Sequence, residues 1–294
     1  VLFENTGSPE KPEFIEKGRI SENGKPLVFP GDPREPNGEY WGYTSLSALD
    51  WDKDGDIDLL ITQRSGHTNY YENIGTLKSP ELIFRDRLKL VNGDVASPNP
   101  RVKPAFYDWN NDGAIDIIMG TPDETAAIYY NTGKGGLVFR QPEDLLSPKG
   151  GPIYKEKYEN QGRSRYVRVD WNSNGLMDLM IINHSGDDWP RYFENVGSAT
   201  TPLFEEKEMP RVNDQHLWVG AGHAPCAMAV DWDHDGQEDI ILGGEDGQIR
   251  YYNRTMFQEP PATRRIFMGF KDSPGKIIDC SSLVNIDRYV GKMT

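Results

Sequence analysis

The stretch Asp50-Trp-Asp-Lys-Asp-Gly-Asp-Ile-Asp58 decides how this chain is read. It recurs as Asp108-Trp-Asn-Asn-Asp-Gly-Ala-Ile-Asp116, Asp170-Trp-Asn-Ser-Asn-Gly-Leu-Met-Asp178 and Asp231-Trp-Asp-His-Asp-Gly-Gln-Glu-Asp239. Successive copies begin 58, 62 and 61 residues apart. A repeat of this length sets the architecture, because each copy marks one supersecondary unit.

Each copy places oxygen-bearing side chains at alternate positions and glycine at the sixth, the pattern of a loop folded around a hard cation, Ca²⁺ above all. The candidate ligand positions in loop one are Asp50, Asp52, Asp54, Asp56 and Asp58. In loop two they are Asp108, Asn110, Asp112, Ala114 and Asp116, and in loop three Asp170, Asn172, Asn174, Leu176 and Asp178. Loop four offers Asp231, Asp233, Asp235, Gln237 and Asp239. An EF-hand opens in the same way but needs a glutamate at its twelfth position and flanking helices. Here the twelfth positions are Ile61, Met119, Ile181 and Leu242, and each loop runs into a short apolar segment of strand character. The pattern predicts strand–loop–strand sites.

Further along each unit an aromatic strand ends in Asn-x-Gly: Tyr70-Tyr-Glu-Asn-Ile-Gly75, Tyr129-Tyr-Asn-Thr-Gly133 and Tyr192-Phe-Glu-Asn-Val-Gly197. The motif returns as Tyr251-Tyr-Asn253 and opens the chain as Leu2-Phe-Glu-Asn-Thr-Gly7. Asparagine can close an Asx turn there, and glycine tolerates positive φ. A fourth segment follows, ending in Phe14, Phe84, Phe139 or Phe204. Four short strands per unit predict an all-β fold, a β-propeller of four-stranded antiparallel blades.

The loop followed by Tyr-[Tyr/Phe]-Glu-Asn-x-Gly resembles the FG-GAP or VCBS repeat family, Ca²⁺-binding propellers related to the integrin α-subunit head. The resemblance covers nearly the whole chain. It implies one propeller domain over residues 1–294 and up to four Ca²⁺, but it spans adhesion modules, lectins and lyase domains alike, so it implies fold far more than function. Partial units stand at both ends: Val1 falls within a third strand, and Ser282-Leu-Val-Asn-Ile-Asp287 matches a first strand. A cut from a longer propeller, for example seven-bladed, is favoured over a closed five-bladed ring.

The net charge of −14 belongs largely to the loops; four Ca²⁺, carrying eight positive charges, would bring it to −6. The balance argues against nucleic acid, which needs a basic footprint. No apolar run reaches the length of a membrane span. Millimolar Ca²⁺ places such loops in an extracellular, periplasmic or cell-surface setting. Cys226 and Cys280 fall on neighbouring first strands, where two buried free thiols are favoured over a disulfide.

In an antiparallel meander the metal loops occupy one face, and the second–third loops and blade connections occupy the other. That second face gathers His67, His184, Arg64 and Arg101, together with Tyr40, Trp41, Trp189, His216, Trp218 and His223. Aromatic rings beside cationic and imidazole groups suit a glycan: rings stack on pyranose faces and the polar groups read hydroxyls and uronate carboxylates. A polysaccharide lyase would use His67 or His184 as base and Arg64 or Arg101 to neutralise the uronate; a glycosidase would instead need two opposed carboxylates, and no spacing picks out a pair. The competing expectation is a non-catalytic scaffold that binds a protein partner.

Overall fold

The computed structural model describes residues 1–8, 11–22, 24–27, 44–63, 67–96, 102–121, 125–153, 164–182, 190–209, 211–212, 217, 226–244, 247–257, 266–269 and 278–279. Within them the chain is an all-β propeller with four antiparallel blades. Blade one pairs Ser45–Leu49, Asp58–Thr62, Thr68–Asn73 and Leu82–Arg87 in sequence order. Blade two pairs Ala105–Tyr107, Asp116–Gly120, Ala126–Tyr129 and Glu143–Asp144. Blade three pairs Arg165–Val169, Asp178–Ile182, Arg191–Asn195 and Phe204–Lys207, and blade four Cys226–Val230, Asp239–Gly243, Gln248–Tyr252 and Ile266–Gly269.

The second strands show why the sequence folds this way. Asp58–Thr62, Asp116–Gly120 and Asp178–Ile182 are buried along their whole length. A blade is covered on both faces by its neighbours, so its inner strands read as continuous apolar runs rather than alternating ones. The first strand of blade one does alternate, Leu46 and Ala48 being exposed between half-buried Ser45, Ser47 and Leu49. Blade four repeats this, with Met228 exposed between buried Ala227 and Ala229.

Between blades the repeated aromatics interlock. Trp51 of blade one meets Phe106 and Phe139 of blade two at 6.1 and 6.3 Å between centroids. Trp109 of blade two meets Phe204 of blade three at 6.2 Å, and Trp171 of blade three meets Phe257 of blade four edge-on at 4.7 Å. Trp232 of blade four lies 6.4 Å from Phe14. Phe14 belongs to a separate sheet formed by Leu2–Asn5, Glu13–Gly18 and Ile278–Asp279. The chain leaving that sheet, Ser21–Glu22, pairs with the outer strand of blade one. The N-terminal strands therefore touch both blade four and blade one.

One expectation is extended and one corrected. Val138–Phe139 opens the fourth strand of blade two, with Phe139 bridging Asn131 antiparallel and the Thr132 N–H donating to the Val138 carbonyl at 2.9 Å; the strand resumes at Glu143–Asp144, and Val138–Phe139 also pairs in parallel with Lys89–Leu90 leaving blade one. Parallel pairing there lets Phe139 lie under Trp51 of the preceding blade. Cys226 is a free thiol but exposed, because its side chain shares the outward parity of Met228. Cys280 and Ser282–Asp287 lie outside the described residues.

Candidate metal centres and the opposite face

Each loop folds around its own side chains. The first aspartate accepts the backbone N–H of the sixth-position glycine, at 3.2 Å for Asp50, 2.7 Å for Asp108, 2.9 Å for Asp170 and 3.1 Å for Asp231. The third residue accepts from the fifth N–H (Asp54 to Asp52 at 3.2 Å), and the fifth accepts from the seventh (Asp56 to Asp54 at 3.0 Å). The other loops repeat both bonds. The fourth position is left-handed in every copy, with φ of 66° at Lys53, 58° at Asn111, 54° at Ser173 and 60° at His234. That constraint was not visible in the sequence, since nothing unites Lys, Asn, Ser and His except that none is β-branched.

These bonds turn the carboxylates of positions one, three and five toward one another. Single oxygens of Asp50, Asp52 and Asp54 lie within 4.8 Å of each other, as do those of Asp231, Asp233 and Asp235. Like charges at this spacing repel by roughly 1 kcal/mol per pair even in water. Asp50 Oδ1 is also buried with no hydrogen-bond partner. An all-oxygen set with an orphaned buried oxygen fits a hard divalent cation. In loops two and three the third position is an amide, and there Asn110 Nδ2 donates to Asp112 at 2.9 Å and Asn172 Nδ2 to Glu194 at 2.9 Å.

The ninth-position aspartates are buried and tied to the fold as well. Asp58 Oδ2 accepts the N–H of Trp51 at 3.1 Å, and its Oδ1 accepts that of Asn73, at the end of the third strand, at 2.7 Å. Asp116, Asp178 and Asp239 make the same two bonds. Burial raises all four carboxyls above their ordinary range. Three receive a phenol as well, from Tyr70 at 3.1 Å, Tyr192 at 2.6 Å and Tyr251 at 2.8 Å. Burial raises those phenols too, which keeps them protonated and donating. Blade two has Ile128 in the phenol's place, and Asp116, with no exposed surface, is pushed up to about 6.

The same bonds correct the alignment of blade four. Arg254, not Asn253, donates its N–H to Asp239, so Arg254 stands where Asn73 and Asn195 do. Asn253 instead gives Nδ2 to Asp233 at 2.7 Å and accepts the Thr255 N–H at 2.9 Å, so its side chain serves the loop. Arg254 stacks 3.7 Å over the Trp171 ring and donates to the Trp171 carbonyl.

On the opposite face, His67 is half-buried at the end of the second–third loop of blade one, where its carbonyl accepts from Gln63 at 2.8 Å. Antiparallel pairing sets it a full strand away from the Asp50 loop. His184, Arg64, Arg101, Tyr40, Trp41, Trp189, His216, Trp218 and His223 lie outside the described residues. Of the cations read for the connections, Lys103 Nζ donates to the Ala227 carbonyl of blade four at 2.7 Å, and Arg165 lies instead in the first strand of blade three, where it is buried. No helix among the described residues is long and apolar enough to cross a membrane.

No protein-family model matches the chain, and no curated protein matches it. Among solved structures it is similar to an Agrocybe aegerita lectin described as recognising non-reducing terminal N-acetylglucosamine. Identity is 15% over 86% of this chain and 63% of that one, with a TM-score of 0.39. It is also similar to BBS1N, solved in complex with ARL6DN, at 13% identity over 78% of this chain and 57% of that one, with a TM-score of 0.34. The chain thus spans less than two thirds of either structure.

Proposed function

We propose that this chain is an extracellular Ca²⁺-loaded β-propeller that binds a glycan through the face opposite its metal loops. The observation that carries the metal half is the convergence of three carboxylates within 4.8 Å in loops one and four. Asp50, Asp52 and Asp54, with Asp231, Asp233 and Asp235, would hold the ions best; loops two and three, with amides at the third position, would hold theirs more weakly. Bound Ca²⁺ would supply charge neutralisation and fix the strand–loop–strand corners, leaving ligand chemistry to the other face. The glycan half is supported by the aromatic and cationic composition of the second–third loops and blade connections.

The test is a panel of neutral and uronate-rich polysaccharides presented to the protein in 1–2 mM Ca²⁺, a roughly extracellular concentration. Binding would be followed by affinity electrophoresis, and eliminative cleavage by absorbance of the unsaturated product. Retention by one class of polysaccharide, lost on substitution of Trp41 and Trp189, supports the reading. Absorbance growth that depends on His67 or His184 would make it a lyase. No retention by any polysaccharide would move the assignment to a protein-binding scaffold.

A further inference from the structure

Glu238 occupies the eighth position of loop four, where the other loops carry Ile57, Ile115 and Met177. Its carboxylate leaves its own blade. Oε1 accepts from Arg168 Nη1 at 2.6 Å, and Oε2 accepts the backbone N–H of Asp170 at 2.8 Å. Arg168 is held in turn 5.6 Å over the Tyr107 ring of blade two. Asp170 is the first residue of loop three, and its own carboxylate accepts the N–H groups of Asn174 and Gly175 at 3.1 and 2.9 Å. One side chain of the fourth loop thus fixes the residue around which the third loop is wound.

We propose that Glu238 is a positioning residue for the cation site of loop three, so that the third site depends on the fourth loop being in place. The inference rests on the Ca²⁺ reading given above. Loop three is the poorest in charge: of its candidate side chains only Asp170 and Asp178 are carboxylates. A site with little Coulomb attraction depends most on having its ligands held in advance. Glu238 sits between Gln237, whose N–H bonds Asp235, and Asp239, which accepts the Tyr251 hydroxyl of its third strand and the Arg254 N–H just beyond it. Its direction is therefore set by the closed form of loop four. Because such coupling is reciprocal, filling loop three also favours the closed fourth loop. The ion pair itself is half exposed, with side-chain exposures of 35% for Arg168 and 18% for Glu238. A pair this exposed adds little by attraction alone, so its contribution is geometric.

Calorimetric Ca²⁺ titration of the wild type, Glu238→Gln and Glu238→Ala, each repeated in an Asp170→Asn background, tests this. The weakest binding step should weaken about tenfold in Glu238→Ala, as for loss of an outer-shell partner. Glu238→Gln, which keeps one acceptor for the Asp170 N–H, should fall between. Neither change should alter the remaining steps once Asp170→Asn has removed the third site. An unchanged weakest step in Glu238→Gln and Glu238→Ala overturns the proposal. So does an equal loss at every step, or a lower metal-free melting temperature with Ca²⁺ affinities intact, since each marks a merely structural contact. A wild type that binds no Ca²⁺ would instead remove the metal reading, and this proposal with it.

Discussion

Four tryptophans at one repeat position are not equivalent as residues. Trp51, Trp109 and Trp171 are 1%, 3% and 4% exposed, while Trp232 is half-buried against Phe14 and Tyr251. The first three each reach a ring beyond their own blade: Trp51 meets Phe106 and Phe139, Trp109 meets Phe204, and Trp171 meets Phe257. Replacing any one of them by alanine should cost about 3–5 kcal/mol, as for large-to-small changes in a packed interior. Trp232→Ala should cost less, about 1–3 kcal/mol, because part of its surface already meets water. Urea unfolding of the four variants checks the ordering; a Trp51→Ala loss below about 1 kcal/mol would mean that its ring does not pack as described.

At the scale of the element, the Asn-x-Gly corner is built for close approach rather than for an unusual φ. Gly75 and Gly197 are not left-handed. A Cβ on Gly75 would fall 2.3 Å from the Ser79 carbonyl oxygen, and one on Gly197 2.4 Å from that of Thr201. Beside them Asn73 Oδ1 accepts the N–H groups of Gly75 and Glu81 at 3.0 and 2.9 Å, closing the turn onto the fourth strand. Asn195 and Asn5 do the same in their units. Since the obstructing atoms are backbone, Gly75→Ala should destabilise by about 1–3 kcal/mol although alanine is ordinarily allowed at such a φ. A melting temperature equal to wild type would show that the corner relaxes freely. The turn was legible in the sequence. The reason for its glycine was not, because the clashing oxygen belongs to a residue four positions on, whose place depends on the folded corner.

Across the whole molecule the loops concentrate negative charge at four points, so Ca²⁺ and pH should act on stability together. With an assumed Kd of ~10⁻⁴ M, ~1 mM Ca²⁺ stabilises by roughly 1.4 kcal/mol per strong site. Chelation with EGTA should lower the melting temperature accordingly. In the chelated protein, the raised carboxyls of Asp58, Asp116, Asp178 and Asp239 favour the protonated fold. Their contribution is present below the ordinary carboxylate range and is lost as pH rises; for Asp116 the loss runs from that range up to about 6. Scanning calorimetry at pH 5 and pH 7 should therefore show a larger stabilisation by Ca²⁺ at pH 7, where the ion replaces the lost protons. Equal stabilisation at both pH values would argue that these carboxyls are not coupled to the metal.

By itself the sequence determined the repeat, the four loops and the strand order within a blade. All of these follow from contacts within about ten residues or from a pattern repeated in every unit. Only the tertiary structure decided what depends on strand register and on neighbouring blades. It turned the ninth-position aspartates inward onto backbone N–H groups 15 to 17 residues further on. It moved Arg254 into the place read for Asn253, paired Val138–Phe139 of blade two in parallel with Lys89–Leu90 leaving blade one, and exposed Cys226. It also carried Glu238 across to Asp170, 68 residues earlier in the chain. A backbone amide or a buried carboxylate takes whichever partner the register presents, and register is a property of the paired strands, not of either segment alone.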